Sequence, residues 1–258
     1  MALKATVNCD LGEGFSLYTI ADDEALMKTI HLANIACGFH ASDFAIMNKT
    51  VQWAKENGVL VGAHPSLPDR QGFGRREMAM KPDELVSCFV YQVGSLCGFL
   101  RMHGLGLNHI KPHGAIYGQT AKSDELARAA VGVCKIFSDS NNQVAFVGLA
   151  GTAHQRAAKE LGVKFIPEWF ADLEYGGTGE LLITQVHTPV EHNIIRERVT
   201  RLLERHEIST NENTFLSLGP DIDEITICCH SDTPGAIGNA QLVKSIVDGS
   251  NYAAGYSV

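Results

Sequence analysis

Seven short runs rich in apolar and β-branched residues alternate with longer segments whose apolar positions recur every three or four residues. The short runs are ATVNCDL (5–11), HLANIACGF (31–39), VLVGAHP (59–65), NHIKPHG (108–114), QVAFVGLA (143–150), VKFIPEWFA (163–171) and EITICCHS (224–231). Most read as apolar on both faces, the pattern of parallel strands covered on both sides. The longer segments predict helices over 43–58, 81–104, 121–139, 152–162, 188–207 and 233–249. End signals support these spans. Asp43 and Gly58 bracket the first, Pro82 opens the second, Ser123 caps the third, and Thr152 and Gly162 bracket the fourth. Thr188, Pro189 and Glu191 form a capping-box pattern for the fifth. No linker, low-complexity tract or repeat divides residues 1–258, so the alternation predicts one α/β domain of barrel-like form, with an open doubly wound sheet as the alternative.

Composition narrows the partners. The 258 residues are 45% hydrophobic and carry a net charge of -8, with 29 acidic against 21 basic side chains. That balance argues against nucleic acid or an anionic membrane as the main partner and favours a small molecule or a protein. The seven cysteines include no Cys-x-x-Cys pair, which fits reduced thiols and a cytoplasmic location. The N-terminus reads as a first strand rather than a signal peptide, and no membrane span is expected.

Candidate chemistry collects where the strands end. The first run delivers Asn8, Asp10 and Glu13, the second Phe39, His40 and Asp43, the third His64, the fourth Lys111 and His113, and the seventh His230 and Asp232. In an α/β barrel these ends open on one face, where catalytic groups gather. Singly each has a plain structural role: Asp10 as a turn former, His40 as a core histidine, Asp43 as a helix cap. Together, Asp and His side chains on neighbouring strand ends suit one divalent ion with an open water position, and Asp10, His40 and His64 are the expected ligands for Zn, Mn or Co. Without an ion, the same groups suit general acid–base work on an amide.

The stretch PDRQGFGRRE (68–77) brings Arg70, Arg75 and Arg76 beside the third strand end. It reads either as a solvated loop or as a flap that offers a guanidinium to a carboxylate or phosphate. GLAGTAHQ (148–155) is a strand–turn–helix that suits an anion, yet it lacks the Gly-Lys-Ser/Thr ending of a P-loop. There is no Gly-x-Ser-x-Gly elbow, and Cys9 and Cys37 read as small core residues rather than nucleophiles.

VNCDLGEGF (7–15), ANIACGFHASD (33–43), GAHPSLPDRQGFGRR (62–76), IKPHGAIY (110–117), GLAG (148–151), FADLEY (170–175) and ITICCHSDTP (225–234) together resemble the LamB/YcsF lactam-utilisation family, which includes the A-type component of prokaryotic 5-oxoprolinase. The resemblance runs from the first strand to the last helix. It implies a distorted seven-stranded, TIM-like β/α barrel related to glycoside hydrolases and polysaccharide deacetylases. The implied activity is hydrolytic opening of a cyclic amide, 5-oxoproline or a related lactam. ATP would act only through companion subunits B and C. The implied catalytic set is Asp10, Glu13, His40, Asp43, His64, Lys111 and His113. Asn8, Phe39, Arg70, Arg75, Arg76 and His230 are expected around the substrate, and self-association into a homo-oligomer stays open.

The chain departs from the family pattern at several places. Leu173 stands where the family usually has Arg after FAD. Thr178-Gly179 replaces Asp-Gly, Ile183-Thr184 replaces Pro-Arg, and the seventh strand ends His230-Ser231-Asp232 rather than His-Gly-Asp. Two lost arginines remove a clamp for a substrate carboxylate, which predicts a lactam or amide that lacks one. The competing readings are a stand-alone metal-dependent deacetylase or amidohydrolase, and a non-catalytic scaffold protein.

Overall fold

The computed structural model describes residues 3–179, 181–182, 188–218 and 222–256. In chain order the strands are β1 (Lys4–Leu11), β2 (Leu32–Ala36), β3 (Leu60–His64), β4 (His109–Ile110), β5 (Ala145–Leu149), β6 (Phe165–Phe170), β7 (Glu174–Tyr175), β8 (Leu181–Leu182), β9 (Glu207–Ser209), β10 (Phe215–Ser217) and β11 (Glu224–Cys228). The helices are α1 (Asp23–Met27), α2 (Phe44–Asn57), α3 (Pro82–His103), α4 (Ala115–Lys122), α5 (Asp124–Phe137), α6 (Ala153–Leu161), α7 (His192–Arg205) and α8 (Ala236–Ala254). Seven strands close a parallel barrel in the order β1-β11-β6-β5-β4-β3-β2. These are the seven runs expected from the sequence, and the open-sheet alternative is excluded by the β1–β11 seam, which pairs Lys4 with Glu224 through Asn8 with Cys228.

The two faces of each strand differ. The outer residues of β1, Ala5, Val7, Cys9 and Leu11, join the main core beneath the helices. The inner residues are polar: Asn8 Nδ2 donates to Thr226 Oγ1 at 3.0 Å, and Asn34 Nδ2 donates to Asn8 Oδ1 at 2.8 Å. Lys111, beyond β4, reaches Asn8 across the lumen at 3.2 Å. The expectation of strands apolar on both faces is therefore corrected. Part of the barrel interior is a hydrogen-bonded network, permitted because its members satisfy one another away from water. Among the described residues, Ala145, Val147 and Ile166 form a separate small apolar cluster. Gly62 has no side chain because the His109 imidazole occupies that space. The His109 ring sits 2.7 Å from Asn34 Oδ1, and burial pushes it down to about 3, so it acts there as a neutral ring.

Helix ends follow the local signals in most cases. Asp43 caps α2 through Ala45 and Ile46 N–H groups, Ser123 caps α5, and Thr152 caps α6. The expected box at Thr188 does not form: α7 starts at His192 behind Glu191, while Val190 packs on the core. Two small elements, α1 and α4, and the hairpins β7–β8 and β9–β10 lie outside the expected spans. All seven cysteines are free. Among the described residues one helix, α3, is long and apolar enough to cross a membrane. Its Leu85, Phe89, Val93, Leu96 and Leu100 are buried in the main core.

Candidate active site

The carboxyl ends of the barrel strands surround a cavity of about 380 Å³. Asp10, Glu13, His64, Lys111, His113 and His230 line it, together with Tyr117, Phe170, Leu173 and Leu181. The position of each group follows from its strand. Asp10 is the penultimate residue of β1, His64 ends β3, Lys111 and His113 follow β4 directly, and His230 follows β11 by two residues.

Lys111 is the centre of charge. Its Nζ lies 2.9 Å from Asp10 Oδ1 and 2.7 Å from Glu168 Oε1, with Asn8 Oδ1 at 3.2 Å and Cys228 Sγ at 3.3 Å. Burial alone would drive the ammonium toward neutrality, but the Asp10 carboxylate, with Cys228 and Glu168, holds it well above its ordinary range. Burial likewise works against the Asp10 carboxylate, yet His64 and Lys111 keep it well below its usual range. Asp10 is thus a weak proton acceptor with both oxygens engaged: Oδ1 takes Asn34 Nδ2 at 2.8 Å, and Oδ2 sits 3.2 Å from His64 Nε2.

Glu13 behaves oppositely. Burial, reinforced by the Asp10 charge, raises its carboxyl above the usual range against the pull of His113. His40 Nε2 lies 3.0 Å from Glu13 Oε1, and the His40 ring stacks on His113 with centroids 3.7 Å apart. Burial followed by the neighbouring charge of His64 pushes His40 well down, and burial followed by His40 does the same to His113. His230 differs from His40 and His113. Burial disfavours its charge, but Asp172 overrides this, with Oδ1 2.9 Å from Nδ1, and raises it to about 9.

The loop after β3 is docked rather than free. The Phe73 carbonyl accepts from His113 Nε2 at 2.8 Å, and the Phe73 ring meets His40 edge-on at 5.4 Å. Phe73 holds a left-handed φ of 54°, a conformation that costs about 1–2 kcal/mol for a side-chain-bearing residue. Arg75 pairs with Asp232 at 2.8 Å across the mouth. Arg76 pairs with Asp69 outside the cavity, and Arg70 donates to the Gly38 carbonyl and lies 4.1 Å over the Phe15 ring. Of the three arginines expected near substrate, only Arg75 lines the cavity.

Other expectations are revised. Asp43 is not in the mouth: its carboxylate is spent on the Ser16, Ala45 and Ile46 N–H groups. Phe39 packs on Tyr91, with ring centroids 5.6 Å apart, instead of shielding the cavity. Gly38, just before Phe39, holds a left-handed φ of 95°. Asn8 is fully buried beneath the site and supports Lys111 rather than lining the cavity. Cys9 and Cys37 are buried, and burial pushes the Cys37 thiol up to about 12. The expected ligand trio Asp10, His40 and His64 does not converge. Among the described residues, Asp10 with His64 and His113 forms one close group, and His40 with Glu13 and His113 forms another.

Sequence reasoning missed Glu168 and Asp172. A charged residue inside FIPEWFA signalled the first, because a buried charge requires a partner. Leu173 lies on the cavity wall, where the sequence departs from the family pattern, while Ile183 and Thr184 lie outside the described residues.

Comparison with known proteins agrees with this architecture. The LamB/YcsF family pattern matches residues 5–255. The chain belongs to the LamB/YcsF family. A lactam utilization protein of Emericella nidulans, lamB, is 40% identical over 254 residues, covering 98% of both chains. The A-type 5-oxoprolinase component of Thermococcus onnurineus is 39% identical over 248 residues, 95% of this chain and 94% of that one. A crystal structure of the lactam utilization protein from Thermus thermophilus matches with a TM-score of 0.83 at 31% identity and covers 99% of both chains. This LamB/YcsF member thus shares its barrel over nearly its full length with proteins named for lactam utilisation and as a part of 5-oxoprolinase.

Proposed function

We propose that this LamB/YcsF chain, folded as one domain and working in the cytoplasm, hydrolyses the amide bond of a small lactam. The observation that carries the reading is the pairing of a buried, proton-hungry Glu13 with a charged His230 around one ligand-sized cavity. Water attacks the ring carbonyl carbon and Glu13 takes its proton. The His230 imidazolium faces the developing oxyanion and then gives a proton to the departing ring nitrogen. The C–N bond breaks, and the product carries a carboxylate and an amine. Lys111 has its donors engaged, so it contributes a fixed positive charge that keeps Asp10 ionised rather than a transferable proton.

The substrate class follows from the wall. Leu173, Leu181 and Phe170 present apolar surface, and Arg75 is paired with Asp232. A ring without a carboxylate fits this lining. The relatives named as one lettered component of 5-oxoprolinase support action with companion subunits B and C, which would bring ATP. In assays with and without ATP and those subunits, 2-pyrrolidinone is expected to open to 4-aminobutanoate faster than 5-oxoproline opens to glutamate. A preference for 5-oxoproline would overturn the substrate assignment. A stand-alone metal-dependent amidohydrolase is the second reading, favoured by the convergence of Asp10, His64 and His113.

The role of His230 sets a pH limit. Its folded pKa is raised, so the charged form persists below about 9 and activity falls as pH rises through that value. Asp172→Asn removes the cause of the shift. The alkaline limb of kcat/KM should then fall by at least about one unit, toward the ordinary histidine value of about 6.5. An unmoved limb would take His230 out of the reaction.

A further inference from the structure

We infer that Asp10, His64 and His113 form a divalent transition-metal site whose ligand atoms are Oδ2, Nε2 and Nδ1 respectively. The inference deepens the hydrolytic reading above and rests on it for the use to which the ion is put.

Two backbone carbonyls fix which ring nitrogen carries the proton. His64 Nδ1 is 2.7 Å from the Lys111 carbonyl, and His113 Nε2 is 2.8 Å from the Phe73 carbonyl. A carbonyl oxygen only accepts, so each of these nitrogens must be the N–H donor. In the neutral rings the opposite nitrogens, His64 Nε2 and His113 Nδ1, then hold lone pairs. Those two nitrogens face each other at 3.0 Å, and His64 Nε2 is also 3.2 Å from Asp10 Oδ2. With both rings neutral, three electron pairs would meet at one point. Positive charge resolves the conflict, either as a second proton on His64 that bonds Asp10 Oδ2 or as a metal cation held by all three atoms.

Geometry and charge agree. The three ligand atoms lie within 4.8 Å of one another. Bonds of about 2.0–2.2 Å to a common ion place adjacent ligands roughly 3.0–3.5 Å apart. Backbone carbonyls on the far nitrogens are the outer-shell partners that metal-bound histidines ordinarily have. Lys111 and Asn34 occupy Asp10 Oδ1, which leaves Oδ2 to bind through one oxygen. Five carboxylates, Asp10, Glu13, Glu168, Asp172 and Asp232, surround the site against the three cations Lys111, His230 and Arg75, so a dipositive ion moves the cluster toward neutrality. Two imidazoles and one carboxylate suit Zn or Co rather than Mg or Ca. Such an ion would polarise an amide carbonyl in the cavity.

Two neighbouring groups are poorer sites. His40 Nδ1 has no hydrogen-bond partner among the described residues, so nothing there fixes the ring for ligation beside Glu13. In the group of Asp10, Cys228 and His230, the Cys228 sulfur is already taken by Lys111 Nζ at 3.3 Å.

The test is cobalt binding, read by calorimetry and by the visible Co(II) absorption of the full chain after chelator treatment. One Co(II) per chain is expected, with at least a hundredfold weaker binding in Asp10→Asn, His64→Gln and His113→Gln and little change in His40→Gln. Nitrogen-15 NMR of the apo protein should show His64 protonated at Nδ1 and His113 at Nε2, a readout that survives if a variant fails to fold. No binding by the wild-type chain, loss in His40→Gln with retention in Asp10→Asn, or the opposite tautomers would each overturn the site. Stoichiometric cobalt without turnover of any lactam would leave the site standing and sink the hydrolytic reading. Turnover by metal-free protein that binds no cobalt would do the reverse.

Discussion

Glu13→Gln will lower kcat by about 10²–10⁴-fold, the range for loss of a general base, with melting temperature nearly unchanged. The substitution is nearly isosteric. The Gln carbonyl oxygen still accepts from His40 Nε2, so the stack of His40 on His113 keeps its support. What disappears is proton affinity. Among the carboxylates of the cavity, Asp10 is held ionised by His64 and Lys111, whereas Glu13 is raised by burial and by Asp10. Only a group of the second kind takes a proton from water readily near neutral pH. Steady-state kinetics on a saturating lactam, together with a thermal melt, checks the claim. Undiminished turnover would transfer the base role elsewhere.

Lys111→Met should produce the largest loss of stability of any single substitution at the site, about 3–5 kcal/mol. Methionine fills a similar volume, so packing is nearly preserved. The loss arises because Asp10 and Glu168, both buried, are left without the cation between them. For a chain of this size that corresponds to a fall in melting temperature of roughly 6–20 °C. Adding Glu168→Gln should restore part of it by removing one stranded charge. Urea or thermal denaturation of the two variants measures both effects. Equal stability of Lys111→Met and wild type would show that the ammonium does not hold these carboxylates together.

The barrel was legible because its outer strand faces carry an unbroken apolar signal and its helices carry strong end signals, such as Asp43 with Gly58 and Thr152 with Gly162. The polar lumen was not. Asn8, Asn34 and His109 read as interruptions in apolar runs, and only the closed sheet shows that they bond to one another. The short hairpins lack the length to give a periodic pattern. At the site, strand-end position brought Asp10, Glu13, His64, Lys111, His113 and His230 to the cavity as expected. It failed for Asp43, Phe39, Arg70 and Arg76, because residues a few places beyond a strand can turn toward the mouth or away from it. The expected ligand trio Asp10, His40 and His64 fails to converge for a related reason. Ring direction is set by the Lys111 and Phe73 carbonyls, and strand spacing carries no information about either.

The seam between β1 and β11 also bears on the order of events during synthesis. Asp10 is made first, its partner Lys111 follows about a hundred residues later, and Glu168 later still. The strand that closes the ring, Glu224–Cys228, is made after the other six strands of the barrel. Until it arrives, Asn8 lacks Thr226, and the β1 edge is unpaired on one side. Contacts this distant in sequence form slowly. The growing chain therefore exposes a bare strand edge and solvated charges until Glu224–Cys228 is made, and a truncated product ending before residue 224 would be a target for quality control rather than a weak enzyme.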